Sequence, residues 1–155
     1  ALKTFKGVKR RQEIKGEREG IIVLDDFAHH PTAVKETIMA VREKYAGRRL
    51  IAVFEPRSNS SRRNVFQETY VTSFDKADMI FIPEPPLTEK IPPKERFSSA
   101  KLVEDLGRKG LVAHYFEGTD FLLEALQKNA RSGDVFLFMS NGAFGELPKR
   151  LLESL

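Results

Sequence analysis

Cysteine is absent from the 155 residues. That removes disulfides, thiolate metal sites and a cysteine nucleophile, and fits a reducing compartment. No tract of 18 apolar residues and no charged-apolar-small leader occurs, so neither a membrane span nor a signal peptide is expected, and the cytoplasm is the expected location. Three motifs are missing as well: GxxxxGK[ST], a GxGxxG after the first buried strand, and GxSxG. The sequence therefore contains no phosphate-cradling P-loop, no dinucleotide fingerprint and no serine nucleophile elbow. Internal repeats are lacking too.

What is present suits one compact domain. Hydrophobic residues make up 41% and charged residues 31%, enough for a doubly wound α/β sheet with a sizeable core. The net charge is +4, with a sequence pI near 9.4. Much of the positive charge stands in the first twenty residues, at Lys3, Lys6, Lys9, Arg10, Arg11, Lys15 and Arg18. A water-facing strand edge protected from pairing accounts for these charges, and no nucleic-acid partner is expected.

Residues 9–15 and the apolar run 21–24 flank Gly16 and Gly20, predicting two short strands joined by a turn. Pro31 fits a first helical position, and Val34, Ile38, Val41 and Tyr45 follow on one helical face until Gly47. The unit recurs: a strand over 50–54, then a helical stretch from near Ser61 with Val65, Phe66, Tyr70 and Phe74 facing inward. A strand over 78–82 opens into PEPPLTEKIPPKER, which holds five of the eight prolines and must be extended and irregular. Ser98 or Ser99 caps a helix to Gly110, a strand covers 111–116, Thr119 caps a helix ending before Gly133, a strand spans 134–139, and a closing helix runs from about Gly145 to Leu155. The expected fold is a three-layer, Rossmann-like α/β domain: a mostly parallel six-stranded sheet, one antiparallel edge strand, and helices on both faces.

In such sheets ligands gather at the carboxyl ends of the strands. Three loops stand there: DDFAHHP, EPRSNSSRR and SNGAFG. Asp25, Asp26, His29 and His30 put four ligand-type side chains into six residues. Their chemistry suits a divalent metal, as in a metal-dependent phosphohydrolase, and equally a nucleotide approached at a helix N-terminus. The structural alternative is a capped turn with surface histidines. In the second loop Arg57 is followed by Ser58 and Asn59, a set suited to a substrate carboxylate or phosphate, or to an N-cap cluster. Ser140 and Asn141 offer polar groups and Gly142 permits close backbone approach. His114 lies mid-strand and reads as packed or edge-facing.

The stretch "LDDFAHHPTAV" resembles the start of the C-terminal domain of the Mur ligases, ATP-dependent amino-acid and peptide ligases of bacterial cell-wall synthesis, in which D-[YF]-[AG]-H-x-P recurs. "FKGVKRRQEIKG" is similar to their segment joining the central domain to this one. "FEPRSNSSRRNVF" departs from the FQPHRYTR type of the alanine-adding branch and, with "MSNGAFGELPKRL", resembles the recycling branch, which joins UDP-N-acetylmuramate to L-alanyl-γ-D-glutamyl-meso-diaminopimelate. The resemblance covers nearly the whole chain. It implies ATP-side roles for Asp26, His29 and His30, and peptide-side roles for Arg57, Ser58, Asn59, Ser140, Asn141 and Gly142. It further implies a single domain over 1–155 whose first twenty residues include a linker, with ATP and Mg²⁺ bound mainly by a central domain and the UDP-sugar by an N-terminal one. No metal ligand is assigned to this chain, and by itself it is expected to be inactive.

Overall fold

The computed structural model describes residues 10–155. Lys3, Lys6 and Lys9, the beginning of the expected linker, and the first five residues of "FKGVKRRQEIKG" lie outside the described residues. Six strands, β1 (Glu13–Arg18), β2 (Ile21–Asp26), β3 (Leu50–Phe54), β4 (Met79–Pro83), β5 (Ala113–Phe116) and β6 (Val135–Met139), form one sheet in the order β1-β2-β6-β3-β4-β5. Only β1 and β2 pair antiparallel. Among the described residues three α-helices connect strands, α1 (Pro31–Lys44), α2 (Ser99–Arg108) and α3 (Thr119–Asn129), and a fourth, α4 (Leu147–Ser154), follows the last strand.

Strand alternation divides the core in two. Leu24, Ala52, Phe54, Leu137 and Met139 face α1 and α2, meeting Val34, Ile38, Leu102 and Leu106. Val23, Ile51, Val53, Phe136 and Phe138 face α3 and α4, meeting Leu122, Leu126, Leu147 and Leu151. Successive side chains of a strand point to opposite faces, so a sheet covered on both sides needs apolar residues at every position. The burial of every residue in β2, β3 and β6 follows from this. The expected three-layer α/β fold, with its single antiparallel edge strand, is the one that forms.

Three local expectations are corrected. Residues 61–74 form no α-helix but two 3₁₀ turns, Asn64–Phe66 and Thr69–Thr72. The inward stripe survives only in part: Tyr70 and Phe74 are fully buried, whereas Val65 is 66% exposed. The β-branched run Thr69, Val71, Thr72 is a weak helix former, and the Ser58 and Ser61 hydroxyls bond locally to backbone in competition with a helix. The first strand runs over 13–18 instead of 9–15, and its turn is made by Glu19 and Gly20, both at positive φ. That two-residue turn matches strand twist, and Gly16 lies inside the strand at a register shift against which Leu152 packs. Thr119 does not cap α3: Gly118 is the cap residue and no side chain caps that end. Ser98, by contrast, accepts from Lys101 N at 3.0 Å and caps α2 as expected. His114 is exposed on edge strand β5, tilted against Phe81.

At the amino end of β6, Asp134 accepts from Arg49 Nε (2.9 Å), Arg49 Nη2 (2.6 Å) and Arg131 N (2.8 Å), with its side chain only 3% exposed. Removing one partner of a buried pair strands the other charge. Asp134→Ala is therefore expected to lower stability by about 3 kcal/mol in urea unfolding. Glu104→Ala, which breaks the exposed Arg108 pair, should change it by less than about 0.5 kcal/mol.

Candidate functional site at the carboxyl edge of the sheet

Asp26 pairs in register with Met139, and Met139 with Phe54. Strands β2, β6 and β3 thus end level, and the loops that begin at residues 27, 140 and 55 leave the sheet side by side. The expected sharing of one edge by these three loops is what the topology produces.

In the first loop, Asp26 is buried and its carboxylate accepts from Ala28 N (2.8 Å) and Gln12 N (2.7 Å). It closes a local turn and ties the segment before β1 to the loop. His29 bonds through Nδ1 to the Phe27 carbonyl at 2.9 Å. A carbonyl only accepts, so Nδ1 carries the proton and Nε2 is the other ring nitrogen left to act. Tyr70 donates its hydroxyl to the His29 carbonyl. His30 is the N-cap of α1: its Nδ1 accepts from Thr32 N at 3.3 Å, and its ring meets Phe66 edge-on. Pro31 occupies the first helical position, as its missing N–H favours. Asp26, His29 and His30 line a cavity of about 400 Å³ together with Arg11 and the half-exposed Phe27.

Asp25 turns away from that cavity. Its Oδ2 accepts from Arg10 Nε at 3.2 Å, and it borders a second cavity of about 490 Å³ with Gly142, Glu146 and Lys149. The four ligand-type side chains of the loop are thus committed separately, and among the described residues no group of three or more His, Asp or Glu could hold a metal ion. The metal centre considered for this loop is not assembled there.

The second and third loops meet through a residue the sequence reasoning passed over. Glu55 is 4% exposed, and its Oε1 accepts from Ser140 Oγ at 2.6 Å. Ser140 Oγ in turn accepts from Gly142 N (3.0 Å), and its carbonyl accepts from Arg10 Nη2 (2.8 Å). Burial pushes the Glu55 carboxyl above its ordinary range, against the Ser140 bond and the charges of Arg57 and Arg10. Burial also raises Asp25, opposed chiefly by Arg10. Ser58 is buried against Ser61, with hydroxyl oxygens 2.6 Å apart, and Asn59 Oδ1 accepts from Arg62 Nη2 at 2.7 Å. Ser140 and Ser58 therefore support their loops from within. Asn141 has a buried, unpartnered Oδ1.

Arg57 is different. It is half-buried, lies directly against Gly142, and forms no ion pair with any acid among the described residues. A Cβ at position 142 would overlap Arg57 Cδ and Nε, so glycine is what lets this side chain cross the SNG turn. A guanidinium beside backbone amides, with its fork uncommitted to an acid, is suited to a carboxylate or phosphate. Glu55 had a legible signal, an acid one residue past an apolar strand. Arg10 and Glu146 had none: Arg10 reaches the site from before the hairpin, and Glu146 reaches it through a left-handed turn at φ 58.

The fold and this edge define an α/β domain whose three polar loops leave the carboxyl ends of β2, β3 and β6 side by side, without a P-loop. The chain belongs to the Mur ligase family, matching the family described as "Mur ligase, glutamate ligase domain" over residues 10–142. It is 38% identical over 156 residues to the Escherichia coli (strain K12) UDP-N-acetylmuramate–L-alanyl-γ-D-glutamyl-meso-2,6-diaminoheptandioate ligase, covering 100% of this chain and 32% of that protein. The crystal structure of a murein peptide ligase from Psychrobacter arcticus superposes with a TM-score of 0.81 at 31% identity, covering 99% of this chain and 31% of the other. A domain from a Haemophilus ducreyi protein described as a ligase of the same tripeptide superposes with a TM-score of 0.72 at 34% identity, covering 93% of this chain and 98% of that one. The chain spans about a third of the length of the curated relatives it matches.

The buried carboxyl generates a pH prediction. A folded-state value raised by burial means the native state holds its proton more tightly than the unfolded chain. The resulting stability is complete below the ordinary glutamate range and is lost as pH rises through the raised value. Glu55→Gln should therefore flatten the fall in unfolding free energy above the ordinary glutamate range. Urea titrations at several pH values between 4 and 8 check it, with an unchanged slope counting against the assignment.

Proposed function

We propose that this chain is the C-terminal domain of an ATP-dependent, amide-forming ligase of peptidoglycan recycling. The whole protein would join UDP-N-acetylmuramate to L-alanyl-γ-D-glutamyl-meso-diaminopimelate through an acyl phosphate, in the cytoplasm and without nucleic-acid or membrane partners. The observation that carries the peptide side is Arg57, a guanidinium without an acidic partner among the described residues, held over Gly142 where two loops meet. Such a fork fits a carboxylate-rich peptide, in company with Asn59 and Asn141 and with Ser58 and Ser140 as internal supports.

On the nucleotide side, His29 presents Nε2 at the rim of the cavity behind Asp26. Asp26 holds that cavity in shape by binding two backbone amides, and His30 starts the helix whose N-terminus favours anions. ATP supplies the phosphoryl group that activates the acid, and Mg²⁺ would be held mainly by a central domain. This chain's own work is to orient the amine against the activated acid and exclude water as it closes. Residues 1–155 would act as one unit, with the connection to the central domain within the first twenty.

In the full-length ligase, Arg57→Ala is expected to raise the peptide KM about tenfold or more, the loss of one charge-assisted contact, with little change in the ATP KM. His29→Ala should show the opposite order. Steady-state kinetics with each substrate varied in turn separates the two, and a reversal would exchange the ligands assigned to these loops. Residues 1–155 alone should release no phosphate from ATP in a colorimetric assay.

A further inference from the structure

A cavity of about 420 Å³ lies beside Asn59 of the second loop. Asn59, Arg62 and Arg63 form one wall, and Leu87, Glu89 and Lys90 of the proline-rich loop form the other. The two walls are bonded together: Arg62 Nη1 donates to Leu87 O (2.6 Å), Nη2 donates to Asn59 Oδ1 (2.7 Å), and Phe97 N donates to Arg62 O (2.9 Å). Arg63 and Arg96 make a short antiparallel bridge across them. Leu87 is held at φ 56, a left-handed conformation unfavourable for a side chain of its kind. An unfavourable backbone kept in place by surrounding bonds is a common feature of ligand clamps.

The charges in this clamp do not cancel. Three cations, Arg62, Arg63 and Lys90, face one acid, Glu89. Arg62 is occupied with holding the walls. Arg63 has a long ion pair to Glu95 at 3.8 Å, and Lys90 pairs with no acid among the described residues. Lys90 and Arg63, the latter held only by its long pair to Glu95, thus leave net positive charge along the lining of the pocket, which suits an anionic group.

We propose that this pocket binds the carboxylates of the distal, third residue of the peptide whose amine is joined beside Arg57, so that it selects for an acidic peptide end. The inference rests on the reading above that the second substrate is a peptide. Arg57 and Asn59 are two residues apart, at most about 7 Å along the chain, so the pocket adjoins the loop that carries Arg57.

The test uses the full-length protein with the variants Lys90→Gln, Arg63→Gln and the pair, each checked for an unchanged Tm. The substrates are the tripeptide and the same tripeptide with both carboxylates of its third residue amidated. The paired variant should raise the tripeptide KM about tenfold, each single variant about threefold, consistent with charge-assisted contacts, with kcat and the KM values for ATP and UDP-N-acetylmuramate unchanged. The amidated peptide should show a raised KM with the unmodified protein and no further rise in the variants. Equal effects on both peptides, no effect, or a rise in the ATP or UDP-sugar KM instead would overturn the assignment while leaving the peptide-ligase reading intact. If the unmodified protein ligates free L-alanine and neither peptide, that reading falls and this one with it.

Discussion

Asp26, Met139 and Phe54 sit opposite one another in neighbouring parallel strands, and the arrangement of the candidate site follows from that register. A shift of one residue in β6 would turn Ser140 to the other face of the sheet and break its bond to Glu55. The register is defended from both sides, because β2, β3 and β6 are buried on both faces and each of their residues has a partner layer. Central parallel strands of this kind have no solvent-facing side onto which a slipped set of side chains could be moved without exposing core.

Above that platform, the acids serve as internal struts. Asp26 binds backbone amides, Glu55 binds a serine hydroxyl, and Asp25 binds Arg10. Each is buried, and a buried carboxylate with good partners holds a loop where an exposed one would not. The consequence is electrostatic as well as mechanical. With these three acids turned inward and committed, the proposed reading leaves Arg57, Arg63 and Lys90 to meet an anionic ligand, although the whole chain has a net charge of only +4.

The order of strands and helices was legible because it rests on periodicity: buried strands with turn residues between them, and apolar residues at helical spacing in α1 and α2. The failures lie where local chemistry competes with periodicity. Residues 61–74 carried a helical stripe, yet β-branched residues and hydroxyls that bond to backbone broke it into two tight turns. At the candidate site, the strand order placed the three loops on one edge, but residue types did not give the division of labour within them. That Ser140 would face inward and that Asp25 would turn away from Asp26 depend on which side of the sheet each bond falls. Those outcomes follow from tertiary contacts such as Arg10 to Ser140, 130 residues apart, for which no sequence pattern exists.

The inward-turned acids also bear on why such a domain would be built to move. A site that carried its own activating acid or metal cluster could attack a phosphoanhydride whenever one bound, with water as the competing nucleophile. Under the proposed function, Arg57 and the N-terminus of α1 orient charge and do not themselves generate a nucleophile. On the proposed reading, chemistry then depends on approach. The amine bound at Arg57 gains its effective concentration only when the domain closes on the activated acid, and closing removes the water that would destroy it. Arg10 lies where the segment before β1 meets both Asp25 and the Ser140 carbonyl. On the proposed reading, a change in the direction of that segment would reach the loop that carries Gly142 through these two bonds.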